Sequence, residues 1–470
     1  MTLAAHSSPF AIPAPRALSD SELARLIDAI GDVPFSTDRA RVKKKSLDFY
    51  WYSPVLKPRM ADLRGDIVVT PRDETDVLRV VAACSELQVP ITVRGAGTGN
   101  YGQAVPLAGG VVLDMIEMDK VLWLKPGLVR VQAGKLMLKL DREIRSSGWE
   151  QRMFPSTKRT ATIGGFVAGG SGGVGSVTYG VLGDRGNINA ARVVTCEKSP
   201  RVLELRGEDT RAVNHAYGTT GIITELEMPL APAWPWRDVV VSFNGFAKAA
   251  EFAQQLALSD AIVKKLITPI AWPVPSFLPR LNERLPDGRD IVICMIAAPS
   301  MQGFTDLVSQ HGGEIVHDVD AMAVEDDPSS VLPLYEYTWN HTTLHAMKVD
   351  KSFTYLQSLF PAGNSLEMVQ HMIDTFGDEV PMHLEMIRYA GQTITCGLQL
   401  VRFTTEERLD EIIAYHEAHG VAIANPHVWT LEDGSPDKTT PPDQNRFKHE
   451  ADPDGLLNPG KMRGFTPAAA

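Results

Sequence analysis

The chain has 470 residues, 44% of them hydrophobic and 22% charged, with a formal net charge of −11. That length predicts two to three domains, and the acidic balance argues against generic nucleic-acid binding, which depends on neutralising phosphates. The four cysteines, Cys84, Cys196, Cys294 and Cys396, stand far apart. They make no metal knuckle, redox pair or cluster ligand set, and their apolar contexts predict buried thiols in a reducing, cytoplasmic compartment. Met1 to Arg16 hold no basic stretch followed by an apolar core, so no signal peptide is expected. No apolar run reaches membrane-spanning length, so no membrane span is expected.

In chain order, Ser19-Asp20-Ser21-Glu22 fits a capping box that opens a helix ending near Gly31. The basic run from Arg39 to Lys45 reads as a solvated helix face. Residues 67–70 predict a strand ended by Pro71, and Val77, Val80, Val81 and Cys84 fall on one helical face. A strand over 89–93 runs into the first glycine cluster, Arg94-Gly95-Ala96-Gly97-Thr98-Gly99-Asn100-Tyr101-Gly102. Strands follow at 111–114 and 128–133, then a helix at 136–148. A second, denser glycine cluster spans 161–186, and strands return at 191–194 and 221–226. The proline- and tryptophan-rich stretch 231–236 predicts a domain boundary. Beyond it, strands are expected at 238–243, 290–296, 335–347 and 392–403, with helices at 247–258 and 406–419. The fold class is α+β. The divisions are an N-terminal extension (1–60), a first domain (61–235), a second α+β domain with a large sheet (236–440) and a C-terminal segment (441–470).

Glycines after a strand let backbone N–H groups approach phosphate oxygens, because no Cβ intervenes. Gly97 to Gly102 is a literal GxGxxG, the signature of a Rossmann dinucleotide fold. That fold requires a helix opening directly from the loop. Pro106, Gly109 and Gly110 forbid one, so the loop is expected to join strand to strand and to cradle a pyrophosphate with backbone amides. Arg94 has an alternative reading as a structural residue.

Together the motifs resemble the FAD-binding domain of the vanillyl-alcohol oxidase / p-cresol methylhydroxylase (PCMH-type) flavoprotein superfamily. The similar pieces are Val69-Thr70-Pro71, Pro90 to Gly99, Thr162 to Ala168, Tyr179-Gly180 with Asp184, Gly218 to Thr224, and the tail Asp452 to Lys461. The resemblance implies a two-subdomain FAD-binding domain under a substrate, or cap, domain. It implies FAD contacts from Arg94, Gly95, Ala96, Gly97, Thr98, Gly99, Asn100 and Tyr101. Thr162, Gly164, Gly165 and Ala168 would line the flavin and ribityl region and Ile223 would contact the adenine side, with Pro155, Ser156, Thr160, Gly172 and Gly221 also among the cofactor contacts. Asn458 and Lys461 would return to the flavin from the tail. Thr98 stands near the position of one family's linking histidine, and no cysteine occurs between Cys84 and Cys196, so FAD is expected to be held non-covalently. A linkage through a second-domain histidine stays open.

A flavin leaves the protein to orient the substrate and supply a base. If 335–347 is a strand, Tyr335, Tyr337, Trp339, His341, Thr343 and His345 share one face. The expected bases are His341, His345 and Tyr337, and the expected substrate contacts are Trp339, Arg388, Tyr389 and His427. Relatives that oxidise D-2-hydroxy acids often carry a His-x-x-Gly-Asp-x-Asn-type metal motif, and Met382-His383-Leu384-Glu385 does not replace it, so no metal site is expected. The leading expectation is therefore an FAD-dependent oxidoreductase acting on an aromatic, phenolic or benzylic alcohol. The alternatives are a 2-hydroxy-acid dehydrogenase of D-lactate or glycolate type, and a flavin-binding subunit that needs a partner. The acceptor, oxygen or another, and homodimerisation stay open.

Overall fold

The computed structural model describes residues 12–466 except Ala14. Most of the stretch read for a signal peptide lies outside the described residues.

The N-terminal helix Asp20–Ile30 starts as its capping box dictates, with Ser19 Oγ accepting from the Glu22 N–H and Glu22 reaching back to the Ser19 N–H. It packs on helix Glu74–Leu87, which carries the chain between two parallel strands. Strand β1 (Phe35–Ser36), β2 (Ile67–Val69), β3 (Ile91–Arg94) and β4 (Val111–Asp114) form a sheet in the order β1-β2-β4-β3. Strands β2 and β3 flank β4 and run parallel to it. Between β3 and β4 lies the first glycine loop with no helix, as Pro106, Gly109 and Gly110 require. Gly109 and Gly110 both adopt positive φ, 79° and 76°.

A second, antiparallel sheet follows. Its strands are β5 (Val121–Lys125), β6 (Leu128–Gln132), β7 (Trp149–Gln151), β8 (Ala190–Val194), β9 (Val202–Arg206) and β10 (Ile222–Pro232), in the order β5-β6-β10-β8-β9 with β7 also on β10. The second glycine cluster is not all loop: Ile163–Gly169 is a short helix whose N-cap, Thr162, accepts from the Gly165 N–H at 3.2 Å.

Strands β11 (Trp236–Phe243), β12 (Lys264–Ile270), β13 (Asp290–Ala297) and β14 (Glu314–Asp320) make the cap's first antiparallel sheet, under helix Phe246–Leu258. The expected large sheet comes in parts. Strands β15 (Phe353–Tyr355) and β19 (Leu400–Arg402) pair, while β16 (Ser358–Leu359), β17 (Leu384–Tyr389), β18 (Gln392–Gly397) and β20 (Ala422–Ile423) form a second four-stranded sheet. A bridge between Ile270 and His383 joins the two larger sheets.

One expectation fails here. Residues 335–347 are not a strand: a 3-10 turn, Leu334–Tyr337, leads into helix Asn340–Val349. Tyr, Trp and Thr favour strands locally, but Trp339 takes φ 53°, which no strand tolerates. The new direction is fixed by the Thr342 hydroxyl donating to the Tyr337 carbonyl at 2.6 Å.

A single apolar core runs from Val129, Ile163 and Leu226 into Val240, Leu266 and Ile293, so the cap shares its interior with the second sheet. Beside it lies a small cavity lined by Lys158, Lys265, Asp238 and Glu325. Lys158 is paired with Asp141 and Glu325, both at 2.9 Å, and Lys265 with Glu150 at 2.6 Å. Asp238 accepts the Leu334 N–H at 2.9 Å through Oδ2, while its Oδ1 has no partner. Burial pushes its carboxyl up to about 7, with the Glu325 charge adding to the shift. Because that value exceeds the ordinary carboxylate range near 4, the folded chain keeps a proton that the unfolded chain releases between about pH 4 and 7. The associated stability is complete below that window and lost as pH rises through it. Asp238→Asn mimics the protonated form, so its stability advantage over the wild type should grow from pH 5 to pH 8, by up to about 3 kcal/mol. Thermal unfolding at the two pH values measures this, and a difference independent of pH would contradict it.

Candidate functional site

The first glycine loop is shaped from beneath by Arg94. Its guanidinium donates to the Leu47 carbonyl and, at 3.0 Å, to the Ala96 carbonyl. It thereby lies against Gly97, where a Cβ would overlap it and where φ is 68°. Arg94 is thus a strut of the loop, in line with the structural alternative. The N–H groups of Ala96, Gly97, Thr98 and Gly99 donate to nothing among the described residues. Residues 95–99 are half-buried, flanked by buried Arg94 and Asn100. A run of unpaired amides on a glycine loop is an anion cradle, and it fits a pyrophosphate.

The two glycine clusters meet at Gly95. A Cβ there would overlap Thr162 Oγ1 and come 3.6 Å from Gly165 Cα. Gly164 is packed on Ala133, where a Cβ would sit 2.6 Å from the alanine methyl, whereas Gly165 is exposed. Ala168 is half-buried at the end of the short helix, and Pro155, Ser156 and Thr160 lie in the turn before it. Gly221 is pressed against Val193, and Ile223 is buried in the core.

The helix Ile163–Gly169 leaves carbonyls unpaired at its C-terminal end. They are met by a strained loop: the His215 N–H donates to Val167 O at 2.9 Å and the Tyr217 N–H to Ala168 O at 2.8 Å. Both donors adopt φ 52°, a conformation that costs about 1–3 kcal/mol for a residue other than glycine. The C-terminal segment holds this loop in place. Gln444 Nε2 donates to Asn214 O, Lys448 Nζ to Thr219 O, and Asn458 Nδ2 to Tyr217 O.

Asn458 and Lys461 also brace the first loop. Asn458 Nδ2 donates to Gln103 O at 2.8 Å, and Lys461 Nζ donates to Gly102 O. Gln103 in turn ties the clusters together, accepting from the Tyr101 N–H and donating to Gly169 O. Burial pushes Lys461 down to about 7 and nearby Asp48 up to about 6, so neither charge is well solvated.

On the cap side, Asn100 Nδ2 donates to the Tyr355 hydroxyl at 2.6 Å, and Gln357 Nε2 donates to the Tyr101 hydroxyl. Tyr101, Trp339, Leu344 and Met347 pack against Tyr52 and Tyr355, giving an aromatic wall beside the loop. Helix periodicity of about 100° per residue puts Asn340, Leu344 and Met347 on this side and His341 and His345 about a third of a turn away. The histidines face Glu336 instead, with His345 Nε2 2.9 Å from its carbonyl and the His345 ring against Tyr337. Burial pushes both down to about 4. The Tyr337 hydroxyl donates to Pro279 O at 2.8 Å. The shared face expected of a strand therefore does not exist, and His341, His345 and Tyr337 turn away from the wall.

His427 is also occupied: Nδ1 is 2.8 Å from Ser53 Oγ and Nε2 2.9 Å from the Tyr355 carbonyl, so it braces Tyr355 from behind. Arg388 is bound to Asp260 at 2.6 Å at the tip of a hairpin, with Tyr389 beside it 50% exposed. Sequence reasoning missed Asn340, Tyr355 and Gln357, because the Trp339 turn that aims Asn340 inward has no sequence signature. Among the described residues no three His, Cys, Asp or Glu side chains converge as metal ligands, and no helix is long and apolar enough to cross a membrane.

Comparison with known proteins agrees with this construction. Residues 65–199 match the family described as FAD binding domain. The chain is 31% identical over 211 residues to glycolate oxidase subunit GlcD of Bacillus subtilis (strain 168), covering 43% of this chain and 44% of that one. It is 32% identical over 182 residues to D-lactate dehydrogenase of Anaerostipes hadrus, covering 36% and 37%. The chain thus spans less than half the length of these curated relatives. Its fold is similar to solved alkyldihydroxyacetonephosphate synthase, with a TM-score of 0.69 at 18% identity over 95% of this chain and 87% of that one. The architecture is an FAD-binding domain joined to an α+β cap, and FAD is its cofactor.

Three substitutions probe these contacts. Gly95→Ala should abolish FAD retention, and adding Thr162→Ala should restore part of it by removing the overlapping hydroxyl. No recovery in the double variant, read by flavin absorbance after gel filtration, would contradict the contact. Asn458→Ala should leave two buried carbonyls unpaired at about 1–3 kcal/mol each. It should weaken FAD binding about tenfold or more in a fluorescence titration, and an unchanged affinity would count against the brace.

Proposed function

We propose that the chain is an FAD-dependent oxidoreductase that oxidises a carbon bearing a hydroxyl, and that its substrate is a small 2-hydroxy acid. The local likeness to a glycolate oxidase subunit and to a D-lactate dehydrogenase carries the substrate class. It reverses the order expected from sequence, where an aromatic alcohol came first. When bound, FAD supplies the electron sink. The chain contributes the free amides of Ala96 to Gly99 for the pyrophosphate, and the Tyr52, Tyr101, Trp339 and Tyr355 wall to keep water from the reacting carbon. The first loop offers FAD no histidine linkage, since Thr98 lacks a nucleophilic nitrogen, and both nitrogens of His427 are engaged in hydrogen bonds.

A benzylic alcohol is the second reading, favoured by that aromatic wall. Arg94 and Lys461, the cations of the loop and the tail, donate to backbone carbonyls of the first loop and its surroundings, with the Arg94 Nε–H left buried without a partner among the described residues. The word subunit in the name of one relative is compatible with a third reading, in which reoxidation of the flavin needs a protein partner.

Anaerobic mixing separates the readings. Lactate or glycolate should bleach the flavin absorbance at least about tenfold faster than benzyl alcohol, a gap of about 1.4 kcal/mol in barrier. Faster bleaching by benzyl alcohol would replace the first reading by the second.

A further inference from the structure

Trp339 and Asn340 combine features that packing alone does not explain. Trp339 holds φ 53° and ψ −141°, a strained backbone for a bulky residue. A buried network keeps it there: its N–H donates to Glu385 Oε1 at 2.7 Å, and Glu385 also accepts from Thr268 Oγ1 at 2.6 Å and lies 3.1 Å from His383 Nε2. The other nitrogen of His383 is 3.1 Å from the Leu398 carbonyl. This strained turn points the tryptophan at the second glycine cluster, where a Cβ on Gly172 would lie 3.4 Å from its ring.

Despite that support, the polar ends of this corner are unmet. Trp339 Nε1, Asn340 Oδ1 and Thr343 Oγ1 are all buried without a partner. Helix periodicity puts Thr343 on the same side as Asn340. The Asn340 side chain interacts with the Tyr101 hydroxyl, and its oxygen is the end without a partner. Buried unpaired donors and acceptors are rare because each forfeits its hydration. Here an indole donor and an amide acceptor are adjacent in the chain, beside the flavin loop.

We infer that Trp339 and Asn340 grip the two oxygens of a 2-hydroxy carbonyl substrate. The indole N–H donates to the carbonyl-type oxygen, and Asn340 Oδ1 accepts from the hydroxyl. This rests on the oxidation proposed above and extends it. The donor is neutral, and Lys348, the cation of the same helix, lies on the side of His341 and His345. Recognition therefore follows the oxygen and not the charge, and the substrate class widens from 2-hydroxy acids to their amides. Glu385 and His383 are positioning residues that act through the Trp339 backbone.

The test uses the FAD-loaded chain with lactate, lactamide and ethanol, and with mandelate, mandelamide and benzyl alcohol. Bleaching of the flavin reads oxidation, and perturbation of its spectrum by pyruvate or benzoylformate reads binding without turnover. In the better of the two series, acid and amide should act within about threefold of each other, and the plain alcohol at least about tenfold more slowly. Trp339→Phe keeps the ring and should weaken binding of the 2-oxo compound about tenfold while FAD affinity stays unchanged. Asn340→Ala should slow reduction by every member of the series. Wild-type binding and reduction in both variants would overturn the inference. Acid oxidation with an amide at least about thirtyfold slower would overturn the charge-independent grip and leave the proposed oxidation standing. If nothing bleaches the wild type, the oxidation proposal fails, and 2-oxo binding that is unaltered by Trp339→Phe then removes the corner as well.

Discussion

One amide group holds the cofactor platform together. Asn458 Nδ2 donates both to Gln103 O in the first glycine loop and to Tyr217 O in the strained loop behind the second. Neither glycine cluster can hold its shape alone. Gly97 and Gly102 adopt positive φ, and His215 and Tyr217 do so without being glycine. For a residue other than glycine, such a conformation persists only where neighbours over-determine it. The tail supplies that constraint by pairing with β3, where the Ile91 N–H donates to Leu456 O and the Asn458 N–H to Ile91 O. Three distant parts of the chain thus meet where the free amides of Ala96 to Gly99 lie open.

Much of this platform was legible because glycine and proline act locally. Pro106, Gly109 and Gly110 excluded a helix, and the loop does join two parallel strands. The Ser19 capping box and the helix face of Val77, Val80, Val81 and Cys84 are likewise local, and both appear. The cap was harder, because its decisive feature is tertiary. Residues 335–347 carry strand-favouring side chains, yet a buried carboxylate from Glu385, almost fifty positions on, captures the Trp339 N–H and turns the chain into a helix. That turn moves His341 and His345 off the aromatic wall and puts Asn340 on it. The roles of Arg94, Asn458 and Lys461 were similarly hidden. The motif marks them as part of the cofactor site, whereas their hydrogen bonds go to backbone carbonyls of the loops.

The cap is anchored as firmly as the platform. Its first sheet shares an apolar core with the antiparallel sheet of the FAD-binding domain, and the Lys158 and Lys265 ion pairs cross the same boundary. Removing a partner from such a buried pair leaves an uncompensated charge, so this boundary is costly to open. A fixed cap suits a site whose aromatic wall must stay registered with the loop beneath it. Specificity is then set by what the wall leaves unpaired, namely the Trp339 indole and the Asn340 amide oxygen.

With no acceptor among the described residues, the backbone amides of Ala96 to Gly99 form the cradle for a pyrophosphate. Calorimetric titration of the cofactor-free chain with FAD and with riboflavin, which lacks that group, tests it most directly. FAD should bind at least about a hundredfold more tightly, a difference of about 2.7 kcal/mol. Equal affinity for the two flavins would contradict it.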